Sequence, residues 1–572
     1  MNYKKKIAQA INSEIDINLE TIEGFIEIPP RREMGDFALP CFKLNKIIKK
    51  EPNVIAKILK EKLEIDGFEK IESLGAYVNF FIDKSIFIKG VLEKIIEESN
   101  HYGSSNTGEG KCICIECSSP DIAKPLHVEQ LSTILVGQSL GKMFEKAGYN
   151  VATLNYIKDW GIQFGKLIFA YKRWGSEEAL EKNGIVELLR LYGIFRYEAQ
   201  ENISLEEESM LCFRGLESRD KEVQVLWNKI KKLSLKEYEE VYSVFNVKFD
   251  YQEEESFYNN KMKFVVDELR EKGLVNESDG AQVIMLSEYN LPPCIVSKDD
   301  KLAIYSIIDL AAAIYRKNKY DFYKCIYVTG SQRKLHFKQV FKVLELAGHE
   351  WAKNCIHAEV GLVKFVDVNL KTGKNEGIFL NDLIKESIDK VLNSINIKKS
   401  NLKNKEEIAK KIGVGAIIFT CLKNLRKKNI LFDWKEMFSV EGETYLYVQY
   451  SYAKAMSILE KGEEIKIKAN FSKLNSKEAF ELVKTLEKFT VIIHNAIEKL
   501  EPSIVLAYVF EVTEALNKLY NTYDILNSED KELVKARLIL IKATCQVINN
   551  ALELIGVEVL EGYDVLYELT IL

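Results

Sequence analysis

The period of the apolar positions changes along the chain, and each change predicts a different kind of structure. Residues 1 to about 105 open on a helical pattern and continue into two short alternating runs, "GFIEIPPRREMGDFALPCFKL" and "SLGAYVNFFID". Helices separated by short strands predict a small α+β domain over 1–105. The run Tyr102 to Lys111, "YGSSNTGEGK", predicts a linker. Strand and helix then alternate: "CICIEC", a helix near Val128 to Lys146, "VATLNYI", a helix after Asp159, "KCIYVTG" and the helix "LHFKQVFKVLELAG". This repeat predicts a Rossmann-type parallel sheet over 106–390, interrupted by a charged helical insertion at about 181–275. From about 402 onward apolar residues recur at three- and four-residue spacing, as in "KELVKARLILIKATCQVINNALELIG". A helical bundle over 391–572 follows.

Length and composition narrow the class. A chain of 572 residues is too long for one core and predicts about three domains. With 47% hydrophobic and 29% charged residues it reads as globular, and 9 prolines with 30 glycines argue against long disordered linkers. The formal charge of -5 excludes no partner, because a nucleic-acid enzyme needs only a local basic face. The N-terminus has no apolar signal core. The longest apolar run, Ile412 to Leu422, is about 11 residues, short of the ~20 needed to span a bilayer. These features predict a cytoplasmic protein with no membrane partner.

Ten cysteines in so long a chain make no disulfide framework. Cys114 and Cys117 form a C-x-x-C, but they sit in an apolar strand with no second ligand pair nearby. The six histidines show no zinc-hydrolase spacing, so no structural metal is expected.

Three stretches carry the candidate chemistry: "SSPDIAKPLHV" between a strand and a helix, "NYIKDWGIQFGKL" after the next strand, and "YSIIDLAAAIYRKNKYDFYKCIYVTGSQRKLHFKQVF" late in the sheet region. Together with "IEIPPRREMGDFALPCF", "ESFYN", "FDWKEMFSVEGET" and "VQYSYAKAMSIL", they resemble the arginyl-tRNA synthetases, class I aminoacyl-tRNA synthetases, over essentially the whole chain. The resemblance implies ATP as substrate with Mg2+, arginine and tRNA(Arg) as partners, a monomer, and a C-terminal anticodon-binding domain. In such enzymes a His-x-Gly-His element at a helix start supports the triphosphate. Here it reads His127-Val128-Glu129-Gln130. His127 matches, Gln130 replaces an imidazole with an amide, and Glu129 adds bulk beside adenine and negative charge near the phosphates. Lys124, just before this element, and Lys371 and Lys374 in "NLKTGKNEGIFLNDL" are the implied cations for phosphate.

For arginine, the resemblance implies Ser118, Asp121, Tyr305, Asp309 and Arg333. Tyr305 and Asp309, at i and i+4, share one helix face and match the family's guanidinium site. Ile308 stands where the family has Arg, Arg333 where it has a pocket Gln, Asp121 where it has Asn, and Lys158 where it has Gly. For tRNA, Asn79, Tyr447, Gln449 and Tyr450 are the implied contacts. Tyr445-Leu446-Tyr447 replaces a Gly-Pro-Tyr run, Lys454 replaces an Arg, and "LEGYDVLYELTIL" runs past the usual end. Three readings stand: an enzyme that forms arginyl-adenylate and charges tRNA, a non-catalytic paralogue that binds tRNA, and a ligase for another amino acid. Arg333 and Asp121 suit an acidic substrate in the last case, but Asp309 does not.

Overall fold

The run Cys112–Cys117 has almost no solvated face, which is what a strand covered on both sides requires. In the computed structural model, which describes residues 3–31, 34–298, 301–302, 304–366, 378–397, 404–462 and 469–560, it is the central strand of a five-stranded sheet. We call it β1. The others are Asn150–Ile157 (β2), Tyr251–Glu254 (β3), Lys324–Gly330 (β4) and Cys355–Val360 (β5). Their order is β5-β4-β1-β2-β3, all parallel. The chain builds outward from β1 on one side, then returns to build outward on the other. The crevice between β1 and β4 is therefore the topological switch point, where open α/β sheets bind ligands.

The helices that position the site are Val128–Lys146 (α1), Ile162–Trp174 (α2), Lys221–Val244 (α3), Ile304–Tyr320 (α4) and Lys334–Leu346 (α5). Helix α1 lies tight on β1 because residue 137 is glycine. A Cβ there would meet the Cys117 Cβ at 2.4 Å. The stretch 181–275, expected to be a helical insertion, also supplies β3. That strand was illegible because only Glu253 of "YQEE" is buried, so an edge strand left no apolar alternation to read.

One cation is buried under this sheet. Arg316 of α4 is 1% exposed, with Nη1 2.5 Å from Glu116 of β1 and Nε 2.9 Å from Glu253 of β3. Glu253 also accepts from the Tyr258 and Tyr320 hydroxyls, at 2.7 and 3.0 Å. Burial alone raises the Glu253 pKa, but the Arg316 charge and these donors outweigh it and hold the carboxyl below its ordinary range. The guanidinium also lies 5.1 Å from the Tyr156 ring and 5.5 Å from the Tyr327 ring.

The chain divides into two compact units. One comprises residues 1–102, 454–489 and 511–548, and the other 103–453, 490–510 and 549–572. In the first, Phe37–Pro40, Tyr77–Ile82 and Phe68–Leu74 form an antiparallel sheet with Tyr77–Ile82 in the middle, over a core that includes Ile7, Ile11, Leu44, Leu59 and Phe80. The helical segment expected as one bundle is shared between the units, whose boundaries fall inside Tyr445–Lys461, Phe489–Lys499, Ser503–Thr522 and Lys531–Leu554. All ten cysteines are free thiols. Cys114, Cys325 and Cys355 are register neighbours across β1, β4 and β5 and pack as small apolar groups. Among the described residues no helix is long and apolar enough to cross a membrane.

Removing Arg316 strands two carboxylates in a dry interior. Arg316→Met is expected to destabilise the chain by about 3–5 kcal/mol in urea unfolding, and adding Glu116→Gln and Glu253→Gln should restore most of that. Because the folded-state pKa of Glu253 is depressed, its contribution is present above 4.5 and lost as pH falls through the folded value. The unaltered chain should therefore lose stability in acid faster than the triple variant.

Candidate active site

The chain leaving β1 turns sharply. Ser118, Ser119 and Ala123 have φ values of 76°, 53° and 66°, a left-handed conformation uncommon for residues with a Cβ. Helix α3 braces this strained loop. The Tyr238 hydroxyl donates to the carbonyls of Asp121 (2.6 Å) and Lys124 (2.9 Å), and the Ser234 hydroxyl accepts from the Ala123 N–H at 3.0 Å. The Ser118 and Tyr242 hydroxyls share a 2.7 Å hydrogen bond. The loop thus presents Ser118, Asp121 and Lys124 at the carboxyl end of β1, in a cleft of about 300 Å³. His127, Glu129 and Gln130 of the α1 terminus, Gly330 at the end of β4, and Gln332 and Arg333 beyond it also line it.

Asp121 is held between cations, with Lys124 at 2.9 Å and Lys158 at 3.5 Å. Burial disfavours its charge, but the Lys158 and Lys124 ammonium groups outweigh that and keep the carboxyl below its usual range. Two of the positions that depart from the family pattern, Asp121 and Lys158, thus face and neutralise each other. Residues 121 and 158 also form an isolated parallel bridge.

The start of α1 is satisfied by its own side chains. His127 is the N-cap and accepts from the Gln130 N–H, while the Gln130 Oε1 accepts from the His127 N–H at 2.9 Å. Glu129, exposed at the second helical position, adds a carboxylate where the helix dipole favours negative charge. The His127 ring lies 5.1 Å from Phe379, and Val128 N–H donates to Ile378 at 3.1 Å. Lys371 and Lys374 lie outside the described residues, as does 561–572.

At the β4 side, Asp309 of α4 is 9% exposed. Its Oδ2 is 2.6 Å from His336 Nε2 and 3.3 Å from Arg333 Nη2. Burial raises its pKa, but the His336 hydrogen bond and the Arg333 charge prevail and hold it low. Asp309 does not line the cleft, whereas Arg333 does. Tyr305, one turn earlier, is 66% exposed and also stands outside the cleft lining, so neither member of this pair lines the cleft. Ile308, in the place of an Arg, is a core residue packed with Ile307, Ala311 and Val340.

Sequence reasoning missed two groups at this site. Glu255, in the turn after β3, is 5% exposed and its pKa is pushed up to about 8, first by burial and then by the charge of Asp309. Its place in the acidic triplet Glu253–Glu255 was the available signal. His336, the closest partner of Asp309, lay in plain view in "KLHFKQ". The residues expected on the tRNA side fall elsewhere. Asn79 is buried in the N-terminal sheet. Gln449 is 0% exposed and clips the chain after Lys531–Leu554, donating to the Glu558 carbonyl (3.1 Å) and accepting from the Leu560 N–H (2.9 Å). Tyr447 and Tyr450 are half-buried on the same helix.

Comparison with known proteins places this geometry. Three family models match in sequence order: an arginyl-tRNA synthetase N-terminal domain at residues 1–82, the class I (R) tRNA synthetase catalytic domain at 91–434, and a DALR anticodon-binding domain at 448–562. An arginine–tRNA ligase of Clostridium botulinum (strain Alaska E43 / Type E3) is 56% identical, covering 98% of this chain and 100% of that protein. One from Clostridium perfringens (strain 13 / Type A) is 55% identical over the same shares. Among solved structures, Thermus thermophilus arginyl-tRNA synthetase matches 98% of this chain and 99% of its own, with a TM-score of 0.77 at 21% identity. The Plasmodium falciparum enzyme matches 97% of this chain and 98% of its own, at 0.75 and 22%. With family models along nearly its whole length and curated relatives at more than half identity, the chain belongs to the arginine–tRNA ligase family of class I tRNA synthetases.

Proposed function

We propose that the chain joins arginine to tRNA(Arg) at the expense of ATP, forming arginyl-adenylate in the β1–β4 cleft and passing arginine to the tRNA. The observation that carries this reading is the cleft itself. In a member of this family, the strained loop after β1, the N-terminus of α1 and Arg333 meet at the switch point, and Arg333 contacts a buried carboxylate on α4 just behind the lining. In this reading Lys124 and Lys158 face the phosphates, the α1 terminus lies beside the nucleotide, and Asp309 with Glu255 receives the guanidinium. The arginine carboxylate attacks the α-phosphate, the bond to pyrophosphate breaks, and the tRNA ribose hydroxyl then displaces AMP. Among the described residues no group of three or more His, Cys, Asp or Glu side chains is placed to hold a metal. A Mg2+ ion brought in with ATP would add positive charge at the phosphates beside Lys124.

Charging of total tRNA with labelled arginine and ATP tests the function directly. Arginine-dependent pyrophosphate exchange and acid-stable charged tRNA are expected. Retention of tRNA without either signal would favour the non-catalytic reading instead.

The α1 terminus sets the strength of ATP binding. At ~6 Å and an effective dielectric near 20, a pair of like unit charges repels by about 3 kcal/mol. Glu129→Gly is thus expected to tighten ATP binding at least tenfold by calorimetry, and Glu129→Gly with Gln130→His should raise adenylate formation further. Equal ATP affinity in Glu129→Gly and the unaltered chain would remove Glu129 from the nucleotide site.

Glu255 sets a pH dependence. Its folded pKa lies above 4.5, so its contribution to stability is present below 4.5 and lost as pH rises through about 8. A bound guanidinium favours the ionised form and reverses this. Arginine affinity should accordingly rise between pH 7 and 9, and Glu255→Gln should flatten that rise; a profile unchanged in the variant would place Glu255 outside the pocket.

A further inference from the structure

We propose that Arg333 is an internal ligand of the guanidinium subsite, holding Asp309 until substrate arginine displaces it. This inference rests on the reading of the chain as an arginine-charging enzyme. The first support is position. Arg333 ends the short turn Ser331–Arg333 that follows β4, and its side chain lines the cleft while Asp309 does not. A guanidinium approaching from the cleft meets a guanidinium before it meets the carboxylate.

The second support is the quality of the bond. A carboxylate offers a guanidinium two parallel hydrogen bonds, and charge-assisted pairs close to about 2.7–2.9 Å. Arg333 makes one contact, from Nη2 to Oδ2, at 3.3 Å. His336 reaches the same oxygen at 2.6 Å, so Asp309 is held firmly from one side and loosely from the other. The Arg333 guanidinium also lies 5.3 Å from the Phe337 ring, which keeps its planar head beside the carboxylate without a second carboxylate to hold it. A loosely held, partly exposed cation is displaceable where a buried bidentate pair is not.

The third support is charge. The Arg333 cation balances the charge of the Asp309 carboxylate. An entering guanidinium is favoured only if Arg333 gives way. Arginine affinity is then an exchange between two chemically identical groups, one tethered and one free.

The test is calorimetric titration of arginine into the full chain, Arg333→Gln and Arg333→Gln/Asp309→Asn, with tRNA charging followed in parallel. Arg333→Gln is expected to bind arginine at least tenfold more tightly, and the double variant to lose that gain. Arg333→Met, which keeps the stem beside Phe337, should show the same gain if removal of the cation is the cause. Equal or weaker binding by Arg333→Gln, or a gain that survives Asp309→Asn, would overturn the internal ligand. If the unaltered chain charges tRNA with arginine while Arg333→Gln shows no gain, this proposal fails alone. If no form binds arginine and none charges tRNA, the functional reading fails with it.

Discussion

A buried arginine is the constraint around which the sheet unit is arranged. Arg316 cannot shed its charge, so its burial requires carboxylates at fixed places, and Glu116 on β1 and Glu253 on β3 supply them. Those strands are not neighbours, because β2 lies between Glu116's strand and Glu253's. One guanidinium therefore fixes the edge strand against the centre and fixes α4 across both. An apolar residue at 316 would pack against Tyr156 and Tyr327 but could not select this register.

The site inherits its geometry from that cluster. Asp309 precedes Arg316 by seven residues on α4, two helical turns on the same face, and Arg316 is among the charges that help keep it ionised. Glu255 follows Glu253 by two residues, just where β3 gives way to a tight turn. Ser119 donates to Glu116 at 3.2 Å, which ties the strained loop after β1 to the same network. The carboxylates Asp309 and Glu255 and the strained loop after β1 thus share one buried support.

How much of this was legible depended on whether a residue's partners were near it in sequence. Strand β1 and helix α1 could be read because their apolar patterns are local. The cleft residues Ser118, Asp121, Lys124, His127 and Gln130 could be read because they lie in one continuous motif. The edge strand β3 could not, since its single buried side chain is a glutamate. Neither could the pairing of Asp121 with Lys158, or of Asp309 with His336, because each joins segments that only the folded sheet brings together. Gln449 shows what a motif alone leaves out: a residue matched to a motif on the tRNA side is, in the fold, a buried clip between a helix and the chain around Glu558 to Leu560.

The self-satisfied start of α1 carries an evolutionary consequence. The reciprocal His127–Gln130 cap contributes to helix stability, of order 1 kcal/mol, and a residue such as Gly in place of Glu129 would lower helix propensity by a similar amount. Substitutions that would open this terminus to an anion therefore weaken the helix that presents it. With α1 at the nucleotide end of the cleft, as proposed above, the present sequence favours the fold over the ligand. A lineage can drift onto that side one residue at a time, but each reversal must first pass through a less stable protein.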